Sequence, residues 1–286
     1  MQQRSSTKEE YQKQINVIVE YISNHLDEEL ELGILAEKAN FSPFHFHRIM
    51  KAFLGEPLGT FIVRLRVETA ARLLRYTELP IQDIAYRVGY DVPSSLSKIF
   101  RSFYGISPTK FRNNKNYVIM KPLQMNDNLN LKAPKIKELD SKQVIYIQLF
   151  GEYSNLNFGE TWAKLWQYVK ENKLFTAGIE HLCIYHNDPK ITASENLRTD
   201  ICLTIHKPVE SKGEIGVKNT EGGKYAVFLY EGTYDHLGMV YDTIYGKWLP
   251  ESGHKLRDVP VFEKYLNNPE NTLPEKLKTE IYIPVE

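Results

Sequence analysis

Two internal repeats of different spacing constrain this chain more than any other feature of its sequence. The stretch ILAEKANFSPFHFHRIMKAFLGEPLGTF (34–61) returns about fifty residues later as DIAYRVGYDVPSSLSKIFRSFYGISPTKF (83–111). Ala36 falls on Ala85, Phe41 on Tyr90, Pro43 on Pro93, Arg48 on Lys98, Phe53 on Phe103, Gly55 on Gly105 and Phe61 on Phe111. Further on, NDPKITASENLRTDICLTI (187–205) aligns without gaps on NNPENTLPEKLKTEIYIPV (267–285), 80 residues away. A repeated pattern builds the same supersecondary unit twice, and two unrelated repeats point to two domains. The length of 286 residues accommodates them, at roughly 150 residues per domain.

Each copy of the first repeat reads as helix, turn, helix. In the first, Leu32, Leu35, Ala36 and Ala39 share a helical face. Ser42 suits an N-cap, and Pro43 suits the first helical turn, where its missing N–H is no loss. Phe46, Ile49, Met50 and Phe53 then recur at helical spacing as a buried stripe, and Gly55 can close the helix in a left-handed conformation. In the second copy Ile81, Ile84, Ala85 and Val88 form the first helix, which Gly89 ends. Leu96, Ile99, Phe100 and Phe103 form the stripe of the second, closed by Gly105; Asp91 and Ser94 both fit as its N-cap. Between the copies, residues 57–77 predict a helix of ~20 residues spanning ~30 Å, close to the ~34 Å of one B-DNA turn.

Charge sharpens this reading. Lys plus Arg and Asp plus Glu number 36 each, so the formal net charge is zero, which taken whole speaks against nucleic acid. By segment the balance is −4 over 1–39, +6 over 40–112 and −2 over the remainder. The neutral total conceals a basic segment that coincides with the first repeat.

Residues 10–112 resemble the DNA-binding domain of the AraC/XylS transcription regulators. Two helix-turn-helix units joined by a long helix, the second ending GYDVPSSLSKIFRSFYGISPTKFR (89–112), carry the resemblance. It implies base contacts at Phe44, His47 and Arg48 in the first recognition helix and at Ser94, Ser97 and Lys98 in the second. Arg and Lys can reach guanine O6/N7, and Phe can pack on a thymine methyl. Lys51, Arg101, Lys110 and Arg112 are the phosphate candidates, positioning without reading sequence.

After an Asn-rich linker, 113–134, the hydrophobic period changes. Residues 144–150, 201–205, 226–230 and 281–285 are rich in β-branched and aromatic side chains and read as strands. Trp162, Leu165, Trp166 and Val169 correspond to Tyr241, Ile244, Tyr245 and Trp248, both sets at i, i+3, i+4, i+7. The domain therefore reads as two strand–helix–strand–strand units, about 135–206 and 215–286, around a pseudo-twofold axis. Asp200 and Glu280 are its equivalent carboxylates, and period 2 puts Glu280 on one strand face with Tyr282. A carboxylate beside aromatics suits an amphipathic cation.

This half resembles the GyrI-like small-molecule-binding domain, on GGKYAVFLYEGTYDHLG (222–238), YGKWLPESG (245–253), FEKYLNNP (262–269) and TEIYIP (279–284). The resemblance implies a pocket of aromatics around a central carboxylate, placed here on Glu280. Tyr282, Trp166, Tyr245, Trp248 and Asp200 complete the expected effector site.

The expected architecture is thus multidomain: an all-α double helix-turn-helix domain over 1–112 and a duplicated α+β domain over 135–286. No metal, cofactor or catalytic residue is expected. The spacing of His181, Cys183, His186, Cys202 and His206 fits no common zinc pattern, and no phosphate-binding or nucleophile-elbow motif occurs. The two cysteines and the polar start suggest a reduced, cytoplasmic, nucleoid-associated chain without membrane contact. The expected function is a promoter-binding transcription regulator, monomer or homodimer, that senses a small hydrophobic or cationic effector and communicates with RNA polymerase. The alternative is a GyrI-like hydrolase or sequestering binder of reactive or toxic small molecules.

Overall fold

The computed structural model describes residues 2–114, 126 and 128–286. Most of the expected linker 113–134, namely 115–125 and 127, lies outside the described residues. The chain divides into two compact units, Met1–Ile119 with Ser211–Gly216, and Met120–Glu210 with Val217–Glu286.

The first unit is helical. Helix α1 (Gln2–Asn24) buries Ile15, Ile18, Val19 and Ile22, spaced i, i+3, i+4, i+7. It packs on the first helix-turn-helix, α2 (Leu32–Lys38) and α3 (Pro43–Leu54), through Leu35, Ala36, Phe46 and Met50. Ser42 accepts the His45 N–H at 3.5 Å with Pro43 following it, and Gly55 closes the helix at φ 74°. Helix α4 (Leu58–Tyr76) has 19 residues, hence a length of ~28 Å. The second copy is α5 (Ile81–Arg87) and α6 (Pro93–Tyr104), and a short α7 (Pro108–Asn113) follows.

Two expectations for the second copy are corrected. Neither Asp91 nor Ser94 caps α6: the N-cap is Val92, without a side-chain hydrogen bond. Pro93 occupies the first turn, where one fewer N–H needs a partner. Phe103 is not part of the buried stripe, being 44% exposed, whereas Leu96 and Phe100 are fully buried.

Arg66 of α4 ties the second copy to the turn between α1 and α2. It donates to the Gly89 carbonyl at 3.0 Å and to the Glu28 carbonyl at 2.8 Å. Gly89 is at φ 76°, and a Cβ there would lie 2.3 Å from the Leu26 carbonyl oxygen. Its counterpart at offset 49, Asn40, also has positive φ, 57°, a conformation that Asn tolerates better than most residues.

The second unit is built on one antiparallel eight-stranded sheet in the order β1-β6-β8-β7-β3-β4-β2-β5. The first copy comprises β2 (Gln143–Phe150), α8 (Phe158–Glu171), β3 (His181–Tyr185) and β4 (Arg198–Thr204). The second comprises β6 (Gly223–Glu231), α9 (Leu237–Thr243), β7 (Val261–Tyr265) and β8 (Lys278–Pro284). The copies meet at the antiparallel pair β3–β7. Each copy is preceded by a short strand, β1 (Lys135–Leu139) or β5 (Gly216–Asn219), which the sequence analysis did not foresee. These strands are exchanged: β1 pairs with β6 of the second copy, and β5 lies beside β2 of the first.

The helices of the two copies differ. Asn157 caps α8 through the Glu160 N–H, and its amide donates back to the Glu160 carboxylate, both at 3.0 Å. In the second copy α9 runs into a π-helical turn, Ile244–Trp248, and then α10 (Leu249–Ser252). Pro250 lacks the N–H that the preceding turn would use, and the backbone widens just before it.

Both faces of the sheet are buried. One packs Ala226, Phe228, Ile281 and Ile283 against Val240 and Ile244 of the second copy's helical segment. The other gathers residues of six strands, β2, β3, β4, β6, β7 and β8, with no helix residue among them, so this buried face is covered by the sheet itself. The sheet is therefore rolled, with this second face inside the roll.

Candidate functional site

In the helical unit, the first two turns of α3 and α6 carry the expected base-contact residues. Phe44 is 67% exposed, with the Arg48 guanidinium 5.7 Å from its ring centroid. Arg48, Ser94 and Lys98 are exposed, while His47 and Ser97 are half-buried. Lys51, Arg101 and Lys110 are exposed as well. Arg112 departs from this pattern: it is half-buried, and its guanidinium donates to the Leu79 carbonyl between α4 and α5. It works as a tie inside the domain. Arg64 is likewise buried, against Glu56 and Glu68, and is not part of the exposed basic surface.

In the second unit, the expected carboxylates lie on the wrong side of the sheet to face the helices. Alternation settles this. Ile281 packs toward the second copy's helix and Tyr282 into the roll, so Glu280 points into the roll with Tyr282. The Tyr282 hydroxyl donates to it at 2.6 Å, and Lys137 of the exchanged strand β1 lies 3.6 Å away. Asp200 is paired in register with Ile184 of the roll. It is 0% exposed and takes hydrogen bonds from His186 (2.6 Å), Lys218 of the exchanged strand β5 (2.6 Å) and Gln148 (2.9 Å). Burial opposes its ionisation, but Lys218 and His186 overcome that and hold its carboxyl far below the usual range. Asp200 and Glu280 are structural ion pairs, each anchoring an exchanged edge strand.

The carboxylate that does face the helices is Glu263, 1% exposed, at the centre of β7. Its Cα partners are Cys183 of β3 and Ile281 of β8, which put it on the helical face. Tyr265 and Tyr185 both donate to its Oε2, at 2.6 and 3.1 Å. The buried Tyr241 hydroxyl also lies close to the carboxylate and favours its ionised form. Tyr153 packs edge-on to Tyr185 (4.9 Å between centroids) and Tyr234 to Tyr265 (5.4 Å). Burial raises the Glu263 pKa, and the tyrosine hydrogen bonds only partly offset it. Burial and Glu263 together raise Tyr234 to about 12 and push Tyr185, Tyr265 and the Cys183 thiol well above their ordinary values.

Of the expected aromatic walls, Trp166 does reach this face, its indole donating to His181 Nε2 at 3.0 Å. Trp162, not among the expected site residues, lies 4.9 Å from the His181 ring and 6.5 Å from that of Tyr265. Tyr245 stacks on Tyr241, whereas Trp248 packs edge-on to Phe228 as part of the core. Among the described residues no group of three or more His, Cys, Asp or Glu is placed to hold a metal. No helix among them is long and apolar enough to cross a membrane.

Residues 132–286 match the family model described as the GyrI-like small molecule binding domain. The chain belongs to the GyrI-like family. A helix-turn-helix domain model matches residues 35–114, and this N-terminal part is AraC-type. Two of the similar proteins are described as regulators. Regulatory protein SoxS of Salmonella typhimurium is 32% identical over 102 residues, which are 36% of this chain and 95% of SoxS. The probable transcriptional regulator YgiV of Escherichia coli K12 is 37% identical over 101 residues, 35% of this chain and 62% of YgiV. Both matches thus span only about a third of the GyrI-like chain, and the YgiV match less than two thirds of that relative. Among solved structures, the DNA-binding domain of AdpA in complex with a target DNA is similar at 28% identity and a TM-score of 0.34, covering 35% of this chain and 89% of that one.

Proposed function

We propose that this chain is a one-component transcription regulator whose helix-turn-helix units bind promoter DNA and whose GyrI-like domain binds a small amphipathic cation at Glu263. One observation carries the effector half of this reading. Among the described residues Glu263 is buried amid hydroxyls and aromatic rings, with no cationic side chain bonded to it. A buried carboxylate without a positive partner is unfavourable, and a cation with an apolar body supplies both the missing charge and contact with the rings. The DNA half rests on the exposed side chains of Phe44, Arg48, Ser94 and Lys98, with His47 and Ser97 beside them. Lys51, Arg101 and Lys110 are the phosphate contacts, and Arg112 is left out.

Two helix-turn-helix units on one chain let a monomer occupy an asymmetric site. Ligand acts by favouring one arrangement of the protein over another, through unequal affinity for the two, and the output is contact with RNA polymerase. The reading excludes turnover: the compound leaves the site unaltered, and the protein works in the cytoplasm, on the nucleoid.

Tryptophan fluorescence titration with tetraphenylphosphonium, with and without promoter DNA, tests the effector half. The Glu263→Gln variant should lose at least tenfold in affinity for this cation while retaining affinity for neutral aromatics. Equal loss for both classes would remove Glu263 from the site, and chemical conversion of a bound compound would favour a hydrolase. For the DNA half, Arg48→Ala should cost about 1–3 kcal/mol of specific binding, measured by gel shift against sites altered base by base. An unchanged sequence preference would remove its base-reading role.

A further inference from the structure

Duplication gives the Glu263 site two halves whose aromatic walls match and whose charges do not. Tyr185 and Tyr265 are equivalents at spacing 80. Tyr153 and Tyr234, equivalents at spacing 81, each set a ring edge on the tyrosine of their own copy. The equivalent of Glu263, however, is Cys183, which is also its Cα partner across β3–β7. Burial and Glu263 keep that thiol protonated. Two residues along the same face of β3, His181 accepts the Trp166 N–H, and burial lowers its pKa and favours the neutral ring. Both tyrosines turn to Glu263, so the hydroxyls of the two halves converge on a single anionic pole. The buried Tyr241 hydroxyl lies on that side too and helps hold Glu263 ionised.

We infer that the site takes amphipathic monocations in one orientation and rejects dications. The charged head sits at Glu263, and the apolar body lies along Cys183, Trp162 and Trp166. The inference rests on the reading of Glu263 as a cation site. A dication of matching length would place its second charge beyond the thiol, toward a neutral imidazole and indole rings. There it loses hydration without gaining a counter-charge. A truly symmetric site, with a carboxylate in each half, would accept both ends.

The full chain is titrated by tryptophan fluorescence with three ten-carbon probes: decyltrimethylammonium, decamethonium and 1-decanol. The monocation should bind at least tenfold more tightly than either of the others, a difference of about 1.4 kcal/mol. Decamethonium binding as tightly as the monocation, with both tighter than decanol, would overturn the inference and leave the cation site intact. A monocation no tighter than decanol would instead overturn the reading of Glu263 on which the inference rests.

Discussion

Asp200 and Glu263 are both buried carboxylates in the middle of strands of one sheet, 0% and 1% exposed, and their situations are opposite. Asp200 faces the inside of the roll, where Lys218, His186 and Gln148 bond to it and its pKa falls. Glu263 faces the helices, where only tyrosine hydroxyls reach it and its pKa rises. Burial does not distinguish a structural acid from a binding acid. The distinction is the kind of partner: one carboxylate has its counter-ions within the fold, and the other has only hydroxyls, the lack that the proposed cation would fill.

The comparison can be broken most forcefully at Asp200. Asp200→Asn leaves Lys218 buried without its counter-ion and should destabilise the domain by about 3–5 kcal/mol, read by urea unfolding at pH 7. A loss below ~1 kcal/mol would mean that the network is dispensable and the contrast false.

At Glu263 the expected sign is reversed and depends on pH. Its folded pKa lies above the unfolded value of about 4.3. Its contribution to stability is therefore complete below that value and is lost as pH rises through the folded pKa. Glu263→Gln does not titrate, so its stability relative to the wild type should improve between pH 4 and pH 8. A pH-independent difference would show that Glu263 is as well compensated as Asp200.

The smallest effect sharpens the comparison. Tyr185→Phe removes one hydrogen bond to Glu263 and should cost roughly 0.5–1 kcal/mol. It should also move the pH midpoint of the Glu263 transition upward. A downward shift would mean that the hydroxyl does not stabilise the carboxylate.

The helix-turn-helix half was legible in sequence because its determinants are local. A serine cap, a proline in the first turn, a closing glycine and an i, i+3, i+4 stripe lie within a dozen residues of one another, and α3 shows all of them. The failures there, the α6 cap and Phe103, are also local, where the second copy keeps the proline but not a capping side chain. The effector site was less legible. Alternation groups Glu280 with Tyr282 correctly, but it cannot say which face meets the helices when a rolled sheet buries both, as in β4, where every residue is buried. A signal for Glu263 was nevertheless present. In VFEKY (261–265) an acid interrupts an apolar strand where the equivalent HLCIY (181–185) has cysteine, and both copies keep the tyrosine two residues on. The exchanged strands β1 and β5 are too short to register in the repeat, so the lysines they bring to Glu280 and Asp200 were not visible.

That exchange also bears on how the domain reaches its native state. Lys135 of β1 pairs with Val227 of β6, 92 residues away in sequence, and β5 must return to the edge of β2 before β6 begins. Each half thus completes its sheet with a strand belonging to the other, and neither presents a finished edge until both are made. Contacts of such long sequence separation raise contact order and slow folding. They also make the 150-residue domain a single cooperative unit, so that a chain emerging from the ribosome cannot finish its first copy until much of the second has been synthesised.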